Sequence, residues 1–169
     1  MDGSGSDFVP HIPRLRRYAR ALTGERTRAD DLVQDTLERA LIKLHLWQPG
    51  SDMRAWLFTL MHNVFINQLR AQSARSTVEL DDEAAQVAVR PTQTDGLEVR
   101  DLQAALLRLP EEQREVLLLV GLDRMTYEET AGVLGIPVGT VMSRLSRARE
   151  RLRGLLAGAA AVTALKVVK

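Results

Sequence analysis

TYEETAGVLGIPVGTVMSRLSRARERLR, running from Thr126 to Arg153, decides the fold of this chain. Thr126 can cap a helix. Glu129, three residues on, completes a capping box in which each side chain satisfies a free backbone N–H near the other. That helix ends at Leu134, and Gly135 supplies the left-handed residue that a tight corner needs. Ile136 plugs the corner, and Pro137 presets φ near the first turn of a second helix. Along this second helix Val138, Val141, Leu145, Ala148 and Leu152 recur at steps of three and four, forming one buried stripe. The opposite face shows Thr140, Met142, Ser143, Arg144, Ser146, Arg147 and Arg149, with no acid before Glu150. Such a face could be merely a solvated basic surface. It also suits the major groove of DNA, with its early residues at base edges and its arginines at phosphates or guanine. Cap, glycine corner, proline start and apolar stripe coincide within one helix-turn-helix length, which favours DNA.

Working outward, 169 residues allow one domain or two small ones. A hydrophobic content of 45% with only 4% aromatics favours helices packed with Leu, Val and Ala over β-sandwiches. With no cysteine, this chain forms no disulfide, thiolate metal site or thiol switch. A formal charge of +1 hides segregation, because acids and bases occupy different stretches, and the local patch sets the field. Phe8 to Ile12 is too short for a signal peptide and is interrupted by Pro10, and no run reaches membrane-spanning length. The expected location is the cytoplasm, with no membrane insertion of the chain's own.

Met1 to Ser6 is a Gly/Ser tail. Pro10 to Leu22 reads as a helix with Ile12, Leu15, Tyr18, Ala19 and Leu22 inward and Arg14, Arg16, Arg17 and Arg20 outward. Gly24 ends it. A second helix runs from about Arg28 to Leu46, with Leu32, Val33, Leu37, Ala40, Leu41 and Leu44 as its apolar side. Its other side is acidic and polar. After Pro49 and Gly50, Ser51 or Asp52 caps a third helix through roughly Gln72, with Trp56, Leu57, Leu60, Met61, Val64, Phe65 and Leu69 available for packing. Three such helices make a compact bundle. From Ser73 to Gly96 periodicity fades and acids gather, as in a linker, with a short helix conceivable between Glu79 and Val89. A second domain begins near Leu97. Leu102, Ala105, Leu106 and Leu109 mark one helix, and Pro110 starts another that leads into the helix-turn-helix. The expected fold is all-α: two small helical domains, 7–72 and 97–157, joined by a flexible linker at 73–96. An apolar tail of undetermined role follows at 158–169.

Three segments in this order resemble a family. ADDLVQDTLERAL (Ala29 to Leu41), MRAWLFTLMHNVFINQLR (Met53 to Arg70) and LPEEQREVLLLVGLDRMTYEETAGVLGIPVGTVMSRLSRAR (Leu109 to Arg149) are similar to segments of bacterial sigma factors of the extracytoplasmic-function (ECF) group, within the sigma-70 family. The resemblance covers almost the whole chain. It implies that the first segment docks on core RNA polymerase, the second opens and reads the −10 promoter element, and the third reads the −35 element. It also implies promoter DNA and core polymerase as partners, and commonly an anti-sigma factor that covers these surfaces.

The residue chemistry fits those roles. Asp31, Gln34, Asp35 and Glu38 offer charge-assisted partners to arginines of another protein, although alone they would read as a solvated helix face. Asn63 and Asn67 lie four apart and share a face. A carboxamide can pair with a base edge, including that of a base flipped from the stack. The resemblance puts Asn63 at the base-reading position with Asn67 and Arg70 close by. Trp56 and Phe65 could stack on bases, but their spacing with Leu60 and Leu69 assigns them to the core. Three residues depart from the family pattern. Met142 stands where many relatives carry Arg or Lys, Ser146 where a larger residue is common, and Thr130 where the first helix is usually apolar. They bear on the promoter sequence rather than on the role. His11, His45 and His62 have no metal-ligand spacing, and no Gly-rich phosphate loop or nucleophile elbow occurs. No enzyme, metal or cofactor is expected. The alternative is a conventional helix-turn-helix regulator whose N-terminal bundle binds a ligand or dimerises.

Overall fold

A computed structural model describes residues 6–78 and 97–167, which form helices joined by short turns, with no strand among them. The N-terminal domain holds α1 (Ile12–Thr23), α2 (Arg26–Lys43) and α3 (Met53–Val78). The C-terminal domain holds α4 (Leu97–Leu107), α5 (Glu111–Gly121), α6 (Tyr127–Leu134) and α7 (Val138–Val167).

In the first domain, a 3-10 turn at Ser6–His11 precedes α1 and places buried Phe8 beside Trp56, ring centroids 6.3 Å apart. Leu15, Tyr18, Ala19 and Leu22 are buried as their spacing predicts, while Ile12 is half-buried. Tyr18 meets Phe58 edge-on at 5.1 Å, a geometry in which the rim of one ring faces the π-cloud of the other. Gly24 then turns the chain with φ 73°, its N–H bonded to Arg20 O. On α2, Leu32, Val33 and Ala40 are buried, and buried Thr36 returns its hydroxyl to Leu32 O at 2.7 Å. Of the two candidate caps for α3, Asp52 does the capping. Its carboxylate accepts the Ala55 N–H at 3.3 Å, while the Ser51 hydroxyl donates to Gln48 O.

Some expectations need correction. Leu41 was assigned to the apolar side of α2 but is 56% exposed, with Ile42 beside it at 73%, because α2 packs inward only through the stripe ending at Ala40. Leu102 is also exposed. It lines an apolar cleft with Ala21, Val99, Leu106, Leu117 and Leu122 rather than a closed core. Trp56 is half-buried and packs on the core; Phe65 is buried within it. α3 runs past Gln72 to Val78, and α7 continues through most of the apolar tail to Val167. The short helix suggested between Glu79 and Val89 lies outside the described residues.

The two domains pack against each other, α1 on α4 and α5, and α3 on α6. Leu107 sits directly over Gly24, where a Cβ would come within 2.5 Å of its Cδ1.

Candidate nucleic-acid interface

The second helix of the corner, α7, is aimed by local chemistry that the structure reproduces. Thr126 Oγ1 accepts the Glu129 N–H at 3.1 Å, and Glu129 Oε2 accepts the Thr126 N–H at 3.1 Å, so the capping box is closed on both sides. Gly135 takes the left-handed conformation (φ 65°, ψ 36°), and both it and Ile136 donate to Ala131 O. Thr130 is fully buried yet not a packing flaw, because its hydroxyl donates to Thr126 O at 2.8 Å. Val141, Leu145 and Ala148 are buried against the rest of the domain, with Val138 and Leu152 half-buried at either end of the stripe.

That stripe fixes where the other side chains point. At about 100° per residue, Ser143, Ser146 and Arg147 project most directly away from it, and all three are exposed. Thr140 and Arg144 flank them on the α5 side. Both are half-buried, and the Arg144 guanidinium lies 3.7 Å from the Glu112 carboxylate on α5. Met142 and Arg149 flank on the α6 side, lining a polar groove with Tyr127, Ser146, Glu150 and Arg153. Met142 is 53% exposed, an apolar side chain on the flank of the basic face. Exposed Ser143 spends its hydroxyl on Thr140 O at 3.2 Å. The face is therefore a row of donors and cations on a rigid helix, the arrangement that a major groove can take.

On the first domain, Asn63, Asn67 and Arg70 are exposed on α3, on the side away from buried Leu60, Met61, Val64 and Phe65. Asp31, Gln34, Asp35 and Glu38 are exposed on α2. The two sets meet in one groove between α2 and α3, lined by Asp35, Glu38, Asn67 and Gln68, where Gln68 donates to Asp35 at 2.9 Å. Gln34 donates to Glu38 at 3.3 Å, which orders the acid ridge. The residues of α7 lie on the other domain. Sequence reasoning missed the apolar companions of the ridge, exposed Leu41, Ile42 and Leu46. Their signal was an apolar excess at the end of α2 beyond what one buried stripe can use. Among the described residues no group of His, Asp and Glu is arranged to hold a metal ion, and no helix is long and apolar enough to cross a membrane.

Comparison with known proteins places these surfaces in a family. Residues 8–62 match the family described as the Sigma2 domain of PhyR, and residues 100–152 match sigma-70 region 4. The chain is 43% identical to the ECF RNA polymerase sigma factor EcfG of Rhodopseudomonas palustris over 92% of its own length and 86% of that protein. It is 34% identical to the ECF sigma factor SigE of Mycolicibacterium smegmatis, covering 91% of this chain and 62% of that one. Its fold is similar to that of the sigma factor RpoE of Bartonella quintana, crystallised with the anti-sigma factor NepR, with a TM-score of 0.80 and 37% identity over 90% of this chain and 95% of that one. A ligand-binding or dimerising N-terminal bundle, as in a conventional regulator, is not favoured, because that half of the chain is itself a sigma domain. The protein thus belongs to the ECF group of RNA polymerase sigma factors, which direct promoter-specific initiation of transcription.

Proposed function

We propose that α2 docks this sigma factor on core RNA polymerase, α3 reads and helps to open the −10 element, and α7 reads the −35 element. The observation that carries this reading is the segregation of chemistry. Exposed acids run along α2 from Asp31 to Glu38, with exposed Leu41 and Ile42 following at its C-terminal end and Leu46 just beyond it, while donors and arginines line α7 on the other domain. A ridge of carboxylates beside exposed aliphatics suits a protein surface carrying arginines and an apolar pocket, with the charges steering and the aliphatics contributing affinity. Asn63 offers both a donor and an acceptor to a base edge, and the neighbouring Asn67 and Arg70 extend that polar strip. Thr140, Ser143, Arg144 and Arg147 contact −35 bases with Ser146 beside them, while Met142 and Arg149 on the flank face the groove wall and backbone. The work takes place in the cytoplasm, with the polymerase. By similarity to RpoE of Bartonella quintana, an anti-sigma protein holds the factor inactive until it is needed.

The test is run-off transcription with purified core polymerase on genomic fragments, with and without this protein. Defined transcripts that appear only in its presence are expected. Specific duplex binding by the chain alone at physiological salt, with no promoter selectivity conferred on core, would overturn the reading.

A further inference from the structure

The contact between the two domains runs through polar and charged side chains that reach from one domain to the other. Arg17 on α1 donates to Leu122 O at 3.3 Å and lies 3.9 Å from the Asp123 carboxylate. Arg54 on α3 donates to Asp123 O and to Glu129 Oε2, both at 3.2 Å. His62 on α3 meets Glu115 on α5 at 2.7 Å. These three side chains sit on the first domain, and the groups they meet here sit on the second. Between them lies Asp123, whose side chain is wholly buried and whose two carboxylate oxygens accept no hydrogen bond from any described residue. A carboxylate buried in that way is tolerable only beside cations, and those facing it are Arg14, Arg17 and Arg54 of the other domain. Arg114 completes the set. Its guanidinium donates to Leu106, Leu107 and Leu109 at the end of α4, and to Leu22 O in the last turn of α1 at 2.9 Å. It therefore sits where the carbonyl ends of two helices from different domains converge, a place that favours a cation.

This closed form cannot span a promoter. The −35 and −10 elements are separated by roughly 25 base pairs, or about 85 Å of duplex at about 3.4 Å per pair. A compact body of this length has a diameter of only about 40 Å, from a radius of gyration of about 15 Å. The domains must part for α3 and α7 to reach both elements.

We infer that Arg17, Arg54, His62 and Arg114 form a latch that holds the free sigma factor shut around Asp123 and Glu115, and that engaging a promoter requires the latch to break. The inference rests on the two-element promoter reading above for its consequence, but the latch itself is measured on the free chain. Because the chain has no cysteine, cysteines introduced at exposed Gln48 and Glu128 report the separation of the domains by energy transfer between two dyes.

Wild type should give one high-transfer population. The Arg17→Ala, Arg54→Ala, His62→Ala triple variant should shift most molecules to low transfer with unchanged helical circular dichroism, since the contacts of these side chains run to the other domain. In the Arg17→Ala, Arg54→Ala background, adding Asp123→Asn should restore high transfer, because it removes the buried charge those arginines faced. Core polymerase with promoter DNA should drive wild type to low transfer. The triple variant should reach half-maximal transcription at a several-fold lower concentration. A wild type that is open on its own, or a triple variant that stays shut, would overturn the latch, whatever transcription shows. A latch that responds as described, in a protein that gives core no promoter selectivity, would instead remove the sigma reading while leaving the domain contact in place.

Discussion

Glu129 Oε2 accepts two hydrogen bonds from different domains, the Thr126 N–H of its own capping box at 3.1 Å and the Arg54 guanidinium of α3 at 3.2 Å. One carboxylate thus both starts the helix-turn-helix and ties it to the first domain. The two roles separate by mutation. Thr126→Ala loses the cap and should cost about 1 kcal/mol. The partly exposed ion pair with Arg54 is worth about 0–1 kcal/mol, and Arg54→Ala loses the Asp123 contacts as well. Glu129→Ala loses the cap and the ion pair but keeps the Arg54 contacts to Asp123, so its cost in urea titrations should exceed that of Thr126→Ala by up to about 1 kcal/mol. A Glu129→Ala cost no larger than that of Thr126→Ala would show that the Arg54 contact contributes nothing.

The acid ridge of α2 yields a second prediction. Charge reversal at Asp31, Asp35 and Glu38 together should abolish co-purification with core polymerase and leave helical content intact, because all three are exposed and the packing comes from buried Leu32, Val33, Thr36 and Ala40. Substituting exposed Ile42 and Leu46 by Ser should weaken the same binding without altering its salt dependence, since apolar contacts are not screened. Undiminished binding by the charge-reversed protein would refute the assignment of this face.

Asn63→Ala should impair open-complex formation on duplex promoters far more than closed-complex binding. A lost base contact costs about 1–3 kcal/mol, and Asn63 is exposed on α3, so its truncation leaves the core intact. The defect should shrink on a template melted in advance. An equal defect in closed-complex binding would remove Asn63 from base reading.

Acid should tighten the closed form. Burial pushes the Asp123 carboxyl up to about 6, against the opposing pull of Arg17 and Arg14 on α1 and Arg54 on α3. Parting the domains exposes the carboxyl and returns it toward its ordinary 3.8. The closed form therefore holds the proton more tightly, so closing takes up a proton between those values and is favoured as pH falls through 6. The closing equilibrium should strengthen by up to about tenfold per pH unit below 6 and level off above it. Asp123→Asn removes this carboxyl but keeps the His62–Glu115 pair, so the difference between the two energy-transfer curves isolates Asp123. Superimposable curves from pH 7.5 to 5.5 would discount its protonation.

How much of this was legible in the sequence follows from distance along the chain. The capping box, the Gly135 corner and the stripe of α7 are set by residues at most a few turns apart, and all were readable. The latch was not, because nothing near Arg114 announces that its guanidinium will meet Leu22 O, 92 positions away. Arg17 read as one of four outward arginines, and His62 as a solvated or packed histidine. The end of α3 was misjudged for a local reason. Ser and Thr after Gln72 look like linker, yet the backbone stays helical to Val78, and the Ser76 hydroxyl folds back onto Gln72 O at 3.0 Å, a bond compatible with a helix. The extension of α7 follows from alanine, the best helix former, with no proline to stop it. Leu41 and Leu102 fit the apolar periodicity but face outward, since periodicity shows which residues share a face and not whether a neighbour covers it.

The last prediction separates reading from holding along α7. Arg147 projects opposite the buried stripe and is exposed, so Arg147→Ala should flatten preference at one or two −35 positions at a cost of about 1–3 kcal/mol. Arg151 lies a turn later, where the helix would leave the groove, and Arg151→Ala should lower affinity for all promoters alike and reduce the salt slope by about one unit. Arg144 stands between these cases, because Glu112 holds its guanidinium at 3.7 Å in the absence of DNA. Base contact then requires Arg144 to leave a carboxylate that is itself largely exposed, an exchange that screening makes easy. Arg144→Ala should therefore alter preference less than Arg147→Ala, and Glu112→Gln should sharpen preference at the Arg144 position by freeing the side chain. Met142→Arg should tighten binding broadly, because an arginine added beside the backbone gains affinity before specificity. The measurement is selection of −35 sequences from a randomised library by holoenzyme carrying each variant. Unchanged preference in Arg147→Ala, or altered preference in Arg151→Ala, would mean that another face of α7 enters the groove, and the Tyr127, Met142 and Arg149 side would become the next candidate.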